Sequence, residues 1–211
     1  MAKTDTTKNK KSKLSTREQL LDATDKVLAH KGSIDFSLSD ISHESGLNTA
    51  LVKYYFGSKS GLLLGLAKKV IGKSLSKLES LVASDLPADE KLRLHIKGIV
   101  NTYYYHPYVN RLLHHLARSE NGELGEEISR EIVSPMVRAE KAILTEGQDA
   151  GIFCETDSMM FYFHLSGACD ALFYSRYSLK YEFGVTRITK KLKDEYAEYL
   201  CDSILKSLKV T

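Results

Sequence analysis

Two short capped segments joined by a glycine turn constrain this chain more than any other feature. Ser37-Leu-Ser-Asp40 has the form of a capping box, with the serine accepting from the third helical amide and the acid returning to the cap amide. The helix it opens, with Leu38 and Ile41 inward, stops at Ser45-Gly46. Gly46-Leu47-Asn48 then reads as a tight turn, and Asn48 as the N-cap of a further helix, Thr49 to Tyr55. Two turns of helix are not stable alone in water, so neighbouring helices must hold this one. Helix, glycine turn and capped short helix make a helix-turn-helix arrangement. Leu51 and Val52 turn inward, which leaves Thr49, Ala50, Lys53 and Tyr54 facing out. A lysine and two aromatics on so short an exposed helix suit a groove lined with phosphates and base edges.

The flanks repeat the logic. Ser15-Thr-Arg-Glu18 is another capping box, followed by Leu20, Leu21, Ala23, Thr24, Val27 and Leu28 at helical spacing and closed by Lys31-Gly32. Ser58 caps a fourth helix with Lys59 in its first turn. A lysine there opposes the helix dipole, so an anion that uses both is inferred.

The continuous segment Phe36-Ser-Leu-Ser-Asp-Ile-Ser-His-Glu-Ser-Gly-Leu-Asn-Thr-Ala-Leu-Val-Lys-Tyr-Tyr-Phe-Gly-Ser-Lys-Ser-Gly-Leu-Leu63 resembles the DNA-binding domain of TetR-family transcriptional regulators. The resemblance covers residues 15 to 66 and is specific as a joined pattern. Many members carry Thr where this chain has Leu51 and Tyr where it has Lys53. It implies that Asn48, Thr49, Ala50, Lys53 and Tyr54 face bases or nearby phosphate of a double-stranded operator, while Ser37, Ser39, Tyr55 and Lys59 grip backbone oxygens. It also implies a homodimer and a small-molecule effector bound in the second domain.

The remaining two-thirds read as helices. Ser60 to Ser84 carries Leu62, Leu63, Leu66, Val70, Ile71, Leu75, Leu78, Leu81 and Val82 at a 3.6-residue period and runs from the DNA-reading unit into a second domain. Helices over Ala88–Tyr105 and Tyr108–Ser119 flank His106-Pro107, and Leu124–Ala150 is a long helix that Pro135 should kink. The fold is therefore expected to be all-α: a flexible basic arm (1–14), a three-helix helix-turn-helix domain (15–66), and a helical effector-binding and dimerisation domain (67–211).

Asp157 caps a helix, Met159 to Leu172, that is apolar nearly all round, so one face is left for a partner. With a last helix over Thr186–Leu208, two such helices from each chain make a four-helix interface, in which Phe163, Gly167, Ala168, Ala171, Leu192 and Tyr199 are the expected contacts. The run Tyr103-Tyr-Tyr-His-Pro-Tyr-Val-Asn-Arg-Leu-Leu-His-His115 gathers tyrosines, histidines and an arginine beside a helix break. Pockets combine aromatic walls with few polar groups, so Tyr103, Tyr104, Arg111 and His115, opposite Phe161 and His164, form a candidate effector site.

Composition excludes other classes. With 43% apolar and 27% charged residues the chain is globular rather than disordered. The positive excess lies in residues 1–68, where eleven Lys/Arg stand against seven Asp/Glu, and the Lys-rich start attracts phosphate. No apolar stretch is long enough to cross a membrane, and no apolar segment follows the lysines to make a secretory signal. A cytoplasmic, nucleoid-associated protein is expected, with Cys154, Cys169 and Cys201 as thiols. No metal, cofactor or catalytic motif is recognisable, and adjacent His114 and His115 point to different sides of a helix. Three readings remain open: a dimeric repressor released by an effector, a DNA-binding regulator without one, and an enzyme using the Tyr/His-rich cavity.

Overall fold

The computed structural model describes residues 14–118 and 123–210. The expected basic arm, apart from Leu14, and residues 119–122 and 211 lie outside those residues. Among the described residues the chain is helical without strands, a lone antiparallel bridge between Phe153 and Lys209 apart. Helices α1 (Thr16–Lys31), α2 (Leu38–Ser45) and α3 (Ala50–Phe56) form a head. Helix α4 (Lys59–Val82) joins it to a body of α5 (Ala88–Tyr105), α6 (Val109–Ala117), α7 (Glu123–Ile128), α8 (Ser134–Asp149), α9 (Ser158–Tyr174), α10 (Arg176–Tyr181) and α11 (Lys190–Leu208).

Both capping boxes form. Glu18 N donates to Ser15 Oγ at 3.3 Å while Ser15 N donates to Glu18 Oε2 at 2.9 Å. Asp40 N reaches Ser37 Oγ at 3.2 Å and Ser37 N reaches Asp40 Oδ2 at 2.7 Å. Helix α3 starts at Ala50, one residue later than expected. The Asn48 side chain still ends the turn, its Oδ1 accepting from Ala50 N at 2.8 Å. The final helix begins at Lys190 rather than Thr186, because the Thr189 hydroxyl accepts from Leu192 N at 3.2 Å and the preceding residues run through α10 and a loop.

Pro135 acts differently from a simple kink. A single π turn, Ser129–Val133, precedes it, and Pro135 falls in the first turn of α8. Proline has no N–H to give and its ring crowds the carbonyl four residues back. A wider turn relieves both faults without breaking the helix.

Two cores form. One joins Leu20, Leu21 and Leu28 of α1, Ile41, Val52, Leu62–Leu64 and Leu66–Ala67 to Val70, Ile71, Val109, Leu112, Leu116, Ile128 and Ile132. The packing of the head therefore continues past residue 66 into α4, α6 and the π turn. The second gathers α5, α8, α9 and α11 around Leu92, Ile96, Ile143, Leu165, Phe173 and Ile204. Tyr103 packs against both.

Gly147 of α8 lies against the buried Phe153 ring, whose amide donates to the Gly147 carbonyl at 3.0 Å. A methyl group there would overlap that ring. Gly147→Ala gains about 1 kcal/mol of helix preference but overpacks the core by roughly 1–3 kcal/mol. The expected outcome in denaturant unfolding is a net loss of stability; a stabilised variant would contradict the packing.

Candidate DNA-reading face and effector cleft

At the head, the turn between α2 and α3 is fixed from both sides. Gly46 takes φ +69°, which only glycine accepts without strain, and Ser42 Oγ donates to the Leu47 carbonyl at 2.7 Å. Val52 is buried and Leu51 half-buried, so α3 is clamped through one face. Its other face is open: Ala50 and Lys53 are exposed, Thr49 is half-buried, and Tyr54 is 78% exposed, edge-on to Tyr55 at 4.8 Å between ring centres. Asn48 and Ser39 are also exposed. Ser37 is exposed, but its hydroxyl is engaged with Asp40.

Lys59 does more than expected. Its Nζ donates to the Phe36 carbonyl and lies 4.1 Å from the centre of the Phe36 ring, tying the start of α4 to the α1–α2 connection. Arg17 was not singled out from the sequence. It is exposed at the start of α1 with its guanidinium 5.0 Å from the Phe56 ring centre, on the side of α3's last turn. Only the tertiary meeting of α1 and α3 reveals it.

The six residues expected to bind an effector are dispersed. Tyr103 lines a cleft between α4, α5, α6 and the π turn. Tyr104 borders a separate recess with Arg176 and Ile188. Arg111 and His115 line a third recess with Asp170 and Tyr174; Arg111 is already engaged by the carbonyls of Gly32 and Pro107 at 3.1 and 2.8 Å and by the Tyr174 ring. Phe161 is buried in the second core and His164 is exposed on α9. The expected walls, α6 and α9, do meet, through Asn110 Nδ2 and Asp170 Oδ2 at 2.8 Å.

The cleft that contains Tyr103 has a volume of about 440 Å³. Val70, Ile71, Leu75, Leu78 and Leu81 of α4 form one wall, and Ile99, Val109, Leu113, Ile132 and Met136 much of the rest. His95 lies in it, with Nε2 held 2.9 Å from Glu140 Oε1, both side chains buried. His106 also lines it, and its Nδ1 is 2.8 Å from Asp25 Oδ1 on α1. The Tyr108 hydroxyl donates to the same oxygen at 2.6 Å. Burial alone would raise the Asp25 carboxyl, but these two hydrogen bonds outweigh it and hold it below its ordinary value. Lys68 of α4 reaches Glu127 and Glu131, clamping α4 to α7 and the π turn.

The expected dimer contacts fall on α9 and α11. Phe163, Gly167, Ala171 and Tyr199 are exposed, and Ala168 and Leu192 are half-buried. The Ala168 carbonyl accepts from the Tyr196 hydroxyl.

An all-helical chain with a clamped helix-turn-helix head on a helical body that holds a cleft has the build of a transcriptional regulator. Residues 20–66 match the model described as bacterial regulatory proteins, tetR family, and residues 85–210 match the tetracyclin repressor-like C-terminal domain. The chain belongs to the TetR family of transcriptional regulators. Over 55 residues it is 40% identical to the HTH-type transcriptional regulator BetI of Agrobacterium fabrum, and 34% identical to BetI of Brucella anthropi. Those matches span 26% of this chain and only 27% and 28% of the relatives' length. Solved structures match along nearly the whole chain. A Clostridium perfringens putative fatty acid metabolism regulator has a TM-score of 0.67 at 16% identity, covering 92% of this chain and 100% of that one. FadR of Bacillus subtilis, in complex with stearoyl-CoA, has a TM-score of 0.64 at 23% identity, covering 90% and 95%. At these identities the likeness is one of fold.

Asp40 offers a local test of the head. Its carboxylate takes a hydrogen bond from Lys31 and two from Ser37, which lower its pKa from 3.8 to about 2. A depressed acid stabilises the fold fully above its ordinary value and loses that contribution as pH falls toward the folded value. NMR of the Asp40 carboxyl carbon is expected to show a midpoint near 2, and Asp40→Asn to remove the part of acid unfolding between pH 3.8 and about 2. A midpoint at the ordinary value would contradict the cap geometry.

Proposed function

We propose that the protein is a homodimeric repressor that binds a near-palindromic operator and is released when a small molecule fills the cleft beside Tyr103. It would act in the cytoplasm on nucleoid DNA. The observation that carries this reading is that α4 belongs to both units. Leu62, Leu63 and Leu66 pack in the core of the head, while Val70 to Leu81 wall the cleft. At 24 residues α4 is about 36 Å long, and a helix moves as a rod.

Asn48, Thr49, Ala50, Lys53 and Tyr54 would read the major groove, with Tyr55, Lys59, Ser37, Ser39 and Arg17 on phosphate and backbone. A twofold dimer sets two α3 helices one turn of DNA apart, about 34 Å, and so asks for a near-palindrome. A ligand acts only by its different affinity for the DNA-competent and released states. His106 provides that difference a route: it lines the cleft and holds Asp25 on α1. The cleft favours this reading over a regulator without effector, because a body built only to dimerise has no need of it.

Selection of bound duplexes from a random pool by the full-length protein is expected to return inverted half-sites. Lys53→Ala should change the preferred half-site. Loss of one phosphate contact through Arg17→Ala should weaken all sites alike and flatten the salt dependence by about 0.9 in log–log slope. Recovery of no preferred sequence would overturn the reading.

The dimer face is testable separately. Ala171 is exposed in the single chain, so Ala171→Arg leaves the protomer's packing intact. In the proposed interface it buries an unpaired charge, at a cost of about 3–5 kcal/mol. Analytical ultracentrifugation is expected to show a dimer for the parent protein and a monomer for the variant; a dimeric variant would move the interface elsewhere.

A further inference from the structure

We infer that the cleft takes a single-chain amphipathic anion, with its apolar chain lying along α4 and its head on Lys73 and Lys77. The inference rests on the reading of the cleft as the ligand site and adds the chemistry of the ligand. Three observations carry it.

The first is shape. Cleft-lining residues run along α4 from Val70 to Leu81, a length of about 16 Å at helical rise. Within about 440 Å³ that length favours a narrow, extended body over a compact ring system.

The second is the state of the polar groups in the wall. Ser74 Oγ and Thr102 Oγ1 lie 3.0 Å apart, and Thr102 also donates to the Gly98 carbonyl at 2.9 Å. His95 Nε2 is held by Glu140 and His106 Nδ1 by Asp25. Burial raises the Tyr103 phenol, which keeps it neutral. Ser74, Thr102, His95 and His106 already have partners, so a polar ligand body gains little from them, and desolvating such a body is costly. The walls therefore select hydrocarbon.

The third is charge at the rim. Lys73 and Lys77 are exposed, four residues apart on one face of α4, and both border the cleft opposite Gly98 and Asn101 of α5. Neither forms an ion pair among the described residues, whereas nearby Lys68, Lys69, Lys91, Lys97 and Lys193 all do. Two cations at the rim of a hydrocarbon slot complement an anionic head on an apolar chain. A free carboxylate and the phosphates of an acyl thioester of coenzyme A share that chemistry.

The test uses the full-length protein and isothermal titration calorimetry with dodecanoate, dodecanoyl-CoA, dodecyl maltoside and dodecyltrimethylammonium. Either anion is expected to bind more tightly than the neutral and cationic amphiphiles. The pair Lys73→Gln and Lys77→Gln together should weaken the anion about tenfold and leave the maltoside unchanged. The anion whose affinity falls further identifies the head group. A Cβ at Gly98 meets nothing within 4 Å and Gly98 borders the cleft, so Gly98→Phe is expected to be tolerated and to narrow the opening. It should weaken every chain that binds, with thermal unfolding unchanged. Equal affinity for anion and neutral head, indifference to the lysine changes, or binding that survives Gly98→Phe would each overturn the inference, as would no binding at all. Lysine-dependent binding by a protein that selects no operator would uphold it and overturn the regulator reading instead.

Discussion

The structure depends on one helix being shared between two packing environments. The buried stripe of α4 runs from Leu62 to Ile71 and resumes at Leu78; its first half meets α1, α3 and α6 while Leu78 meets α5 and the second core. A helix curves only gently unless a proline, a π turn or an inserted group kinks it, so the hydrogen-bond ladder ties the two ends of α4 together. Everything that touches α4 then bears on the head: the Lys68 clamp to Glu127 and Glu131, the Lys69 contact with Asp22 of α1, and the cleft between Val70 and Leu81. The short α3 has no stability of its own to contribute. Val52 and Leu51 are what fix it, and they rest on the same core.

The head was legible in the sequence because its signals are local. A capping box needs only residues three apart, and Ser15–Glu18 and Ser37–Asp40 formed as read. Asn48 kept its role although the helix began one residue later, since its side chain bonds the amide two residues on whichever residue is counted first. The all-α fold and the long α4 followed from periodicity, which records burial directly.

The cleft was not legible, and the reason is physical. Its walls come from α4, α5, α6, the π turn and the start of α8, up to 66 residues apart from Val70 to Met136, and no window of sequence holds them together. The Tyr103–His115 run drew attention by composition, but composition does not say which groups are already engaged. Arg111 is held by two backbone carbonyls and a ring, whereas Lys73 and Lys77, which carry no motif, stand at the rim. Pro135 announced a disturbance, but not its form: a single π turn, Ser129–Val133, precedes it.

Helix α9 divides its apolar residues between the second core and an open face. Phe161, Leu165, Cys169 and Phe173 fix one stripe in the second core, while Met160, Phe163 and Tyr174 stay at least 59% exposed on the other side. Leaving such side chains in water forfeits about 1.5–3 kcal/mol each, and Gly167 and Ala171 between them permit close approach of another helix. In the proposed dimer this face is immobilised, and α5, packed on α9 and α11, is immobilised with it. The cleft's other wall, α4, carries the head and joins that set only at its far end, through Leu78, Leu81 and Val82. On the proposed reading, a ligand between α4 and α5 sits between the wall that the dimer holds and the wall that carries the head. In the proposed switch, its binding energy would bear on the position of the head, because the dimer face holds the opposite wall.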